Sequence, residues 1–462
     1  MLKTKILVTY GPAISKKNVL KEVLKHSDTV RINFSHMQED YWLNAIESIR
    51  KCAASLNKEV ALLADLPGPK IRIGNLKEPI EVKSGEIVRF SSEPRKNCIE
   101  VVYKPLASEA RKGMVIDIGD GTARFKVQEI KGKEVVCRAI NYGVVSSRKG
   151  VSFIGATMKL VVPTKRDLEL AEFARKNSFD YVGVSYVRSA QEIMKVKRIV
   201  GDIGVIAKIE TTDALRNLSE IVDASDGIMV ARGDLSMQVK LEHLPEVQRR
   251  IIATAQLHGK PVIVATQFLT SMLMNPTPTR AEANDIANAV LQGADCLMLS
   301  DETIIGKYPV AAVRFLVKSA TATERFAEQR AHPHSKIDSV GKAMAFVAAD
   351  LADEYKTDCI FVPTQTGSTA RTVSALRPCT QIMALVTDKR IRRSLGIYYG
   401  IRTHDIRRYY SMDEMLANVK AIAKQTKMKN YIIVSGSPNS PGTTDTVKYI
   451  QNSEPDGKQA RL

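Results

Sequence analysis

Cysteine, long apolar runs and targeting signals are scarce in this 462-residue sequence, and their absence excludes several classes of protein. The six cysteines are scattered, with no Cys-x-x-Cys pair, so neither a disulfide framework nor a cysteine-based metal site is indicated. No stretch approaches the roughly 18 to 20 uninterrupted apolar residues that span a bilayer. The N-terminal run lacks the apolar core and cleavage site of a signal peptide, so we expect a cytoplasmic protein.

Aromatic residues are also few, at 6%, whereas basic residues are in excess. Lysine and arginine number 68 against 50 acidic residues, and the net charge of +18 suggests anionic partners, although a solvated basic surface would give the same count. A nucleic-acid-binding protein should show a known binding module or basic clusters interleaved with aromatics. The sequence shows neither, so we expect no nucleic-acid partner and no membrane partner.

Short apolar runs alternate with stretches of helical period in the first 68 residues and again from about residue 158 to residue 330. Eight strands, each followed by a helix, are typical of a (β/α)8 TIM barrel. A doubly wound open sheet is the alternative, but no Gly-x-Gly-x-x-Gly follows the first run. The predicted strands are Lys5–Tyr10, Thr29–Phe34, Val60–Leu66, Tyr181–Val187, Val205–Ile209, Gly227–Ala231, Pro261–Thr266 and Cys296–Leu299.

Two further regions accompany the predicted barrel. Residues 70–157 are strand-rich, with no convincing helix, and predict a small all-β domain, a β-barrel lid inserted after the third strand. Residues 331–337 read as a linker, and the alternating elements after it predict a small α/β domain of regulatory type with mainly parallel strands. The predicted domains are therefore a catalytic barrel (1–69 and 158–330), an inserted lid (70–157) and a C-terminal α/β domain (331–462).

The predicted strand ends carry many charged side chains, and in such barrels the active site lies at the carboxyl ends of the strands. Lys208 and Glu210 are two residues apart and project to the same side, and Asp234 follows the next strand. Glu210 and Asp234 supply hard oxygen ligands of the kind that Mg²⁺ or Mn²⁺ prefers. We therefore expect a divalent-metal site at this rim.

A cluster of cations is predicted beside that metal site. Lys208, Arg31, Arg72 and Lys165 could neutralise phosphoryl oxygens. Since no histidine or cysteine nucleophile is evident, the combination favours phosphoryl transfer by positioning and charge stabilisation. Any one of these residues could instead belong to a surface ion pair, but random placement would scatter them over both barrel ends.

Several strings along the chain form a recognisable pattern. They are Arg31-Ile-Asn-Phe-Ser-His36, Ala64-Asp-Leu-Pro-Gly-Pro-Lys-Ile-Arg72, Ala207-Lys-Ile-Glu210, Asp226-Gly-Ile-Met-Val-Ala-Arg-Gly-Asp234, Ala265-Thr-Gln267, Pro278-Thr-Arg-Ala-Glu282 and Ala289-Val-Leu-Gln-Gly-Ala-Asp-Cys-Leu-Met-Leu-Ser300. In this order they resemble the pyruvate kinase family, and the resemblance covers the barrel, the insertion and the C-terminal region. It implies transfer of the phosphoryl group of phosphoenolpyruvate to ADP, giving pyruvate and ATP, the last step of glycolysis.

The resemblance also implies roles for individual residues. The implied catalytic residues are Lys208, Thr266, Arg31, Ser300 and Glu302. The implied metal ligands are Glu210 and Asp234, for Mg²⁺ or Mn²⁺. The implied substrate contacts are Lys208, Gly233, Asp234, Thr266 and Arg31, and the implied nucleotide contacts are Arg31, Asn33, His36, Arg72 and Lys165. The family's proton path to the enolpyruvate carbon passes through Thr266, and its final donor stays open.

One string departs from the family pattern at a monovalent-cation site. Many members hold potassium with residues that correspond to Asn33, Ser35 and Asp65, together with a threonine where this sequence has Leu66. The family's nearby glutamate is replaced here by Lys70. A lysine can supply positive charge in place of potassium. We therefore expect activity that does not require potassium, as in the lysine-bearing subgroup of the family, although Lys70 could simply be a surface residue.

The C-terminal region carries a polar loop before a predicted helix, in a position that holds an effector phosphate in related enzymes. Hydroxyls and backbone N–H groups at a helix start can bind an anion, but a capped turn would look the same. The loop residues are Thr364, Thr366, Gly367, Ser368 and Thr369. A basic run follows at Lys389, Arg390, Arg392 and Arg393, which could equally be a solvated helix face.

The resemblance further implies a homotetramer. A barrel lyase or mutase acting on pyruvate or phosphoenolpyruvate is the enzyme alternative, because it would share the metal carboxylates. It would not need Arg31, Arg72, Lys165 and a lid for a nucleotide. The effector, the choice between Mg²⁺ and Mn²⁺ and the nucleotide selectivity stay open.

Overall fold

Eight parallel strands form a closed barrel in the computed structural model, which describes residues 2–35, 37–119, 121–154, 160–326, 337–436 and 443–451. The strands follow one another around the ring in chain order, and the eighth pairs with the first, with Lys5 opposite Cys296. The prediction of a (β/α)8 barrel is confirmed, and an open doubly wound sheet is excluded. The strands are Lys5–Thr9, Thr29–Asn33, Ala61–Asp65, Tyr181–Val184, Gly204–Ile209, Gly227–Ala231, Val262–Ala265 and Cys296–Leu299.

The barrel strands are buried on both faces, which explains their nearly continuous apolar sequences. Every residue of Lys5–Thr9 is buried, and side chains alternate between two cores. Val8 packs with the surrounding helices, whereas Leu7 and Leu63 lie in a second cluster that continues into the C-terminal region.

Helices surround the barrel and connect its strands. One of them starts at a capping box, in which the Thr279 side chain accepts a hydrogen bond from the backbone N–H of Glu282 and the Glu282 carboxylate accepts one from the backbone N–H of Thr279. The barrel helices of seven or more residues are Lys17–His26, Glu39–Ser55, Lys165–Lys176, Ala190–Val200, Leu218–Ala224, Leu244–Leu257, Arg280–Gln292 and Pro309–Phe326. The shorter α-helices here are Thr212–Arg216, Arg232–Leu235 and Asp301–Ile304.

The insertion after the third barrel strand is a β structure, as expected. Its strands form a six-stranded sheet and a separate pair, Ile80–Val82 with Gly143–Val145. The segment at Arg72 and Ile73 bridges the two edges of that sheet, pairing with Gly150 on one side and with Val101 on the other. A four-residue helix, Leu106–Glu109, corrects the expectation of no helix, because so short a segment has no detectable period. The sheet strands, in spatial order, are Val151–Ile154, Val115–Ile118, Ala123–Lys131, Glu134–Ala139, Ile87–Ser91 and Ile99–Glu100.

The C-terminal region is an α/β sandwich of five strands, of which four are parallel. Three of its elements are not predicted from the sequence: strand Ile401–His404, helix Met412–Gln425 and the antiparallel edge strand Thr446–Gln451. The other strands are Cys359–Pro363, Ile382–Leu385 and Asn430–Ser435, and the other helices are Val340–Glu354, Ser368–Ala375 and Lys389–Ser394. Most of the predicted linker, residues 331–336, lies outside the described residues.

The C-terminal region packs against the amino-terminal end of the barrel, opposite the predicted site. Three arginines of the predicted basic run bind barrel carboxylates: Arg390 binds Asp202 at 2.9 Å, Arg392 binds Glu59 at 3.4 Å and Arg393 binds Asp180 at 2.9 Å. These arginines therefore hold two parts of the chain together. No helix in the described part of the chain is long and apolar enough to cross a membrane.

Candidate active site

Lys208 is the centre of the charged cluster at the carboxyl end of the barrel. Its Nζ lies 2.9 Å from Glu210 Oε1, 3.1 Å from Asp65 Oδ1 and 2.8 Å from Ser185 Oγ, and only 8% of the residue is exposed. Burial alone would lower the pKa of Lys208, but the negative charges of Asp65, Glu210 and Asp234 outweigh it and raise that pKa. Lys208 is therefore a fixed cation at neutral pH.

Glu210 is almost fully buried beside Lys208. Its Oε2 accepts a hydrogen bond from the backbone N–H of Tyr186 at 2.7 Å. Burial raises the pKa of Glu210 to about 7, with Asp234 also raising it and Lys208 lowering it. In the described part of the chain, Oε1 is buried without an aligned hydrogen-bond donor, although Lys208 lies within ion-pair distance. The second oxygen of Glu210 thus faces the ammonium group of Lys208 at ion-pair distance.

Asp65 and Arg31 form a second buried pair next to Lys208. Arg31 Nε and one terminal guanidinium nitrogen each lie 2.6 Å from Asp65 Oδ2, and the other terminal nitrogen donates to Thr9 Oγ1 at 3.1 Å. Burial would raise the pKa of Asp65, but Lys208 and Arg31 together lower it. Asp65 therefore stays ionised and orients both cations.

Thr266 and Gly233 meet at the ends of the seventh and sixth strands. Thr266 has a left-handed backbone, with φ of +74°, and its Oγ1 accepts a hydrogen bond from Gly233 N at 3.1 Å. Arg232, a further buried cation, donates to the Thr266 carbonyl oxygen and binds Asp285 at 2.6 Å. Backbone strain of this kind is concentrated at functional sites. The sequence-predicted Thr266 and Gly233 are thus brought together.

Ser300 and Glu302 lie at the end of the eighth strand. Glu302 is 3% exposed, and its two oxygens accept hydrogen bonds from the backbone N–H groups of Leu269 and Ser300, both at 2.9 Å. Ser300 Oγ is buried and has no hydrogen-bond partner in the described part of the chain. Glu302 therefore ties the loops after strands seven and eight together, and Ser300 keeps an uncommitted hydroxyl.

Glu210 and Asp234 fit a divalent cation in their chemistry. They offer carboxylate oxygens, the donors that Mg²⁺ and Mn²⁺ prefer, and Glu210 Oε1 is buried without an aligned hydrogen-bond donor in the described part of the chain. The described residues contain no group of three histidine, cysteine, aspartate or glutamate side chains arranged to hold a metal. A cation here would thus take its other ligands from substrate and water.

Comparison with known proteins identifies the family of this chain. A family profile described as the pyruvate kinase barrel domain matches residues 1–313, and one described as the pyruvate kinase alpha/beta domain matches residues 342–450. The chain belongs to the pyruvate kinase family. The prediction of an enzyme of this family is confirmed, and the comparisons give no support to the lyase, mutase or nucleic-acid alternatives.

Named pyruvate kinases align with almost the whole chain. One from Thermococcus litoralis is 36% identical over 97% of this chain and 98% of its own length. Pyruvate kinase 2 from Synechocystis sp. is 38% identical over 87% of this chain and 70% of its own. The crystal structure of a pyruvate kinase from Cryptosporidium parvum superposes with a TM-score of 0.91 at 28% identity, covering 98% of this chain and 96% of that one.

The residues expected to bind nucleotide in a pyruvate kinase are more dispersed. A cavity of about 390 Å³ between barrel and insertion is lined by Lys70, Arg72, Tyr186 and Asp234, among others. Arg72 donates to the carbonyl oxygen of Arg148 at 2.9 Å. Asn33 and Lys165 are not among the described residues that line this cavity: Asn33 Oδ1 accepts from Ser35 N at 2.9 Å, and Lys165 is exposed at the start of its helix. His36 lies outside the described residues.

The departure from the pyruvate kinase pattern lies at the same rim. Leu66 is buried and offers only backbone groups, with its carbonyl oxygen accepting from Ser185 Oγ at 2.7 Å. Lys70 is exposed. Partial desolvation, together with the positive charges of Arg72 and Lys208, lowers the pKa of Lys70. The negative charges of Asp65 and Asp234 oppose this shift but do not cancel it. The ammonium group of Lys70 thus acts on the same carboxylates as Lys208.

The polar loop of the C-terminal region is hydrogen-bonded largely to itself. Thr364 Oγ1 accepts from Gly367 N at 3.0 Å, Thr366 Oγ1 donates to Ser368 Oγ at 3.0 Å, and the hydroxyls of Thr369 and Thr444 lie 2.8 Å apart. Gly367 is left-handed, with φ of +80°. The expected effector residues are therefore gathered at one helix start, which opens at Ser368.

Ser185 and Tyr186 contribute more to the site than the sequence indicated. Ser185 accepts a hydrogen bond from Lys208, and Tyr186 contacts both Glu210 and, at 3.2 Å, Asp234. Their position directly after the fourth strand was the available signal. What the sequence did not show is that the chain turns left-handed at Tyr186, with φ of +56°.

Proposed function

We propose that this protein transfers the phosphoryl group of phosphoenolpyruvate to ADP, giving pyruvate and ATP. The observation that carries the proposal is the buried Lys208, which lies between Glu210 and Asp65 at the barrel rim. The surrounding sequence matches the barrel domain of the pyruvate kinase family. A fixed cation there can neutralise the transferring phosphoryl group and the enolate oxygen that develops as it leaves.

Glu210 and Asp234 would hold a divalent cation, Mg²⁺ or Mn²⁺. When bound, such a cation supplies charge stabilisation to phosphate and enolate oxygens. Glu210 can serve because one of its oxygens is fixed by the Tyr186 N–H and the other faces Lys208. The substrate carboxylate would bind near Gly233, Asp234 and Thr266, where Gly233 N exchanges its bond to Thr266 Oγ1 for one to the substrate.

Thr266 would handle the proton that converts the enolate to pyruvate. Its Oγ1 accepts from Gly233 N, so its own proton is available to another acceptor. Ser300 is a candidate relay because its hydroxyl is buried and unbonded in the described part of the chain. Glu302 accepts two backbone N–H bonds and therefore acts by positioning Ser300.

Arg31, Arg72 and Lys165 would bind nucleotide or transferring phosphate, together with Asn33 and His36. The cavity between barrel and insertion supports the role of Arg72, which lines it together with Lys70 and Asp234. Closure of the insertion over this cavity would exclude water from the transferring group.

A lactate-dehydrogenase-coupled assay with phosphoenolpyruvate, ADP and Mg²⁺ tests the function. Wild-type protein should produce pyruvate, and Lys208→Met should lower kcat by on the order of a thousandfold, since a preorganised charge in a buried site is worth about 3 to 4 kcal/mol. Lys420→Met, which removes an exposed lysine from a C-terminal helix, is the matched control and should be active. Equal turnover by the Lys208→Met and wild-type proteins would overturn the assignment.

Potassium independence is the second part of the proposal. Leu66 provides no side-chain oxygen, and Asp65 already has the cations Arg31 and Lys208 as partners. Adding potassium at matched ionic strength should change turnover less than about twofold, a shift of roughly 0.4 kcal/mol. A Leu66→Thr/Lys70→Glu double variant should gain potassium dependence. A wild-type protein that is several-fold activated by potassium would contradict this.

Regulation and assembly complete the proposal. The loop at Thr364, Thr366, Gly367, Ser368 and Thr369 would bind the phosphate of an effector, giving up its internal hydrogen bonds to do so. Titration of phosphorylated metabolites at fixed, subsaturating phosphoenolpyruvate should raise turnover for at least one, and a flat response to all would remove the regulatory role. A homotetramer is expected from the family and is measurable by light scattering.

A further inference from the structure

Tyr186 contacts both of the carboxylates that the proposed function assigns to the metal. Its backbone N–H donates to Glu210 Oε2 at 2.7 Å, and its phenolic hydroxyl donates to Asp234 Oδ1 at 3.2 Å. The two carboxylates come from the ends of different strands, the fifth and the sixth. Tyr186, which follows the fourth strand, therefore fixes one oxygen of each carboxylate.

The backbone at Tyr186 is in an unfavourable conformation that makes this double contact available. Its φ of +56° lies in the left-handed region, which a residue with a Cβ rarely adopts. The preceding residue, Ser185, accepts a hydrogen bond from Lys208 at 2.8 Å. Such strain persists where the surrounding contacts fix it and is concentrated at functional sites.

The ring of Tyr186 is held in place by a glycine in the loop after the third strand. A β-carbon added at Gly68 would lie 2.8 Å from Cδ2 of the ring and 2.9 Å from Cβ of Ser185, so no larger residue fits there without displacing them. Gly68 is itself anchored, because its N–H donates to Asp167 Oδ1 at 3.0 Å. The phenol ring thus packs closely against an anchored loop.

We propose that Tyr186 is a positioning residue for the metal carboxylates. It holds Glu210 and Asp234 in place for one divalent cation, leaving Glu210 Oε1 and Asp234 Oδ2 outside its hydrogen bonds. This inference deepens the proposed function and rests on its assignment of the two metal ligands. Tyr186 would act through the carboxylates and not on the substrate itself, as partners of metal ligands commonly do.

Tyr186→Phe tests the role of the hydroxyl, because it keeps the ring and the backbone N–H. Mn²⁺ binding to the full-length, substrate-free protein would be measured by the electron paramagnetic resonance signal of the free ion. The variant should bind Mn²⁺ about tenfold more weakly, the lower end of the cost of losing a hydrogen-bond partner of a metal ligand. Its thermal unfolding midpoint should match that of wild-type protein. Tyr355→Phe, which alters an exposed tyrosine of the C-terminal region, is the control and should bind Mn²⁺ normally.

The kinetic signature separates positioning from a general structural role. The Mn²⁺ concentration for half-maximal turnover should rise in Tyr186→Phe by a larger factor than kcat at saturating Mn²⁺ falls. Unchanged Mn²⁺ affinity would overturn the proposal, and so would weakened binding accompanied by a lowered unfolding midpoint, or no Mn²⁺ binding by wild-type protein. A wild-type protein that binds Mn²⁺ more tightly than the variant but transfers no phosphoryl group would overturn only the proposed function.

Discussion

At the scale of single residues, the site is a chain of alternating charges whose sum sets each member's ionisation. Lys208 touches Glu210 and Asp65, and Asp65 touches Arg31. The sequence predicted these residues because charged side chains at strand ends are conspicuous. It could not predict Tyr186, since a backbone N–H and a left-handed φ leave no mark on residue type.

The carboxyl of Glu210 makes the metal-free protein's stability depend on pH. The pKa of Glu210 in the folded protein, about 7, lies above the ordinary value for glutamate, so protonation of Glu210 favours the folded state. This stabilisation is fully present below the ordinary glutamate pKa and is lost as pH rises through about 7. Glu210→Gln resembles the protonated form. In EDTA it should match wild-type stability near pH 4 and exceed it at pH 8 by on the order of 2 to 3 kcal/mol. Unfolding midpoints at the two pH values measure the difference, and a difference that does not grow with pH would contradict the assignment.

At the scale of elements, the barrel could be read from the sequence because its strands and helices differ in period and length. All eight predicted strands are present, with ends displaced by no more than three residues. The C-terminal region was harder. Thr446–Gln451 was missed because an edge strand that is half exposed and contains Lys448 lacks the apolar run of the barrel strands.

The helix that begins at Arg280 illustrates how a local signal stabilises an element. The capping box between Thr279 and Glu282 satisfies backbone N–H groups that the first turn leaves unpaired. Thr279→Ala should cost about 1 kcal/mol, whereas Thr279→Ser should cost little because it keeps the hydroxyl. Denaturant titration followed by circular dichroism measures both. Equal stability of the alanine and serine variants would show that the cap contributes nothing.

At the scale of the whole molecule, the net charge of +18 has several distinct uses. Some cations serve the barrel rim, and others join the C-terminal region to the barrel. The side chain of Asp180 has no exposed surface. It binds Arg50 of the barrel at 3.1 Å and, across that junction, Arg393 of the C-terminal region at 2.9 Å. Residue type alone cannot distinguish such an arginine from a surface one, because its partner lies 213 residues away.

The junction predicts different costs for two neighbouring arginines. Arg393→Ala removes one cation from a buried carboxylate and should destabilise the protein by about 2 to 3 kcal/mol. Arg390→Ala breaks an exposed pair with Asp202 and should have no measurable effect. Differential scanning calorimetry of the two variants makes the comparison. Equal unfolding midpoints would mean that Asp180 does not depend on Arg393.

The central claim is that phosphoenolpyruvate donates its phosphoryl group directly to ADP at the barrel rim. Phosphorus nuclear magnetic resonance of wild-type protein with phosphoenolpyruvate, ADP and Mg²⁺ follows donor and acceptor together. The account predicts that the β- and γ-phosphate signals of ATP grow in step with the loss of phosphoenolpyruvate, with no build-up of inorganic phosphate. Loss of phosphoenolpyruvate without formation of ATP, or no reaction at all, would contradict it.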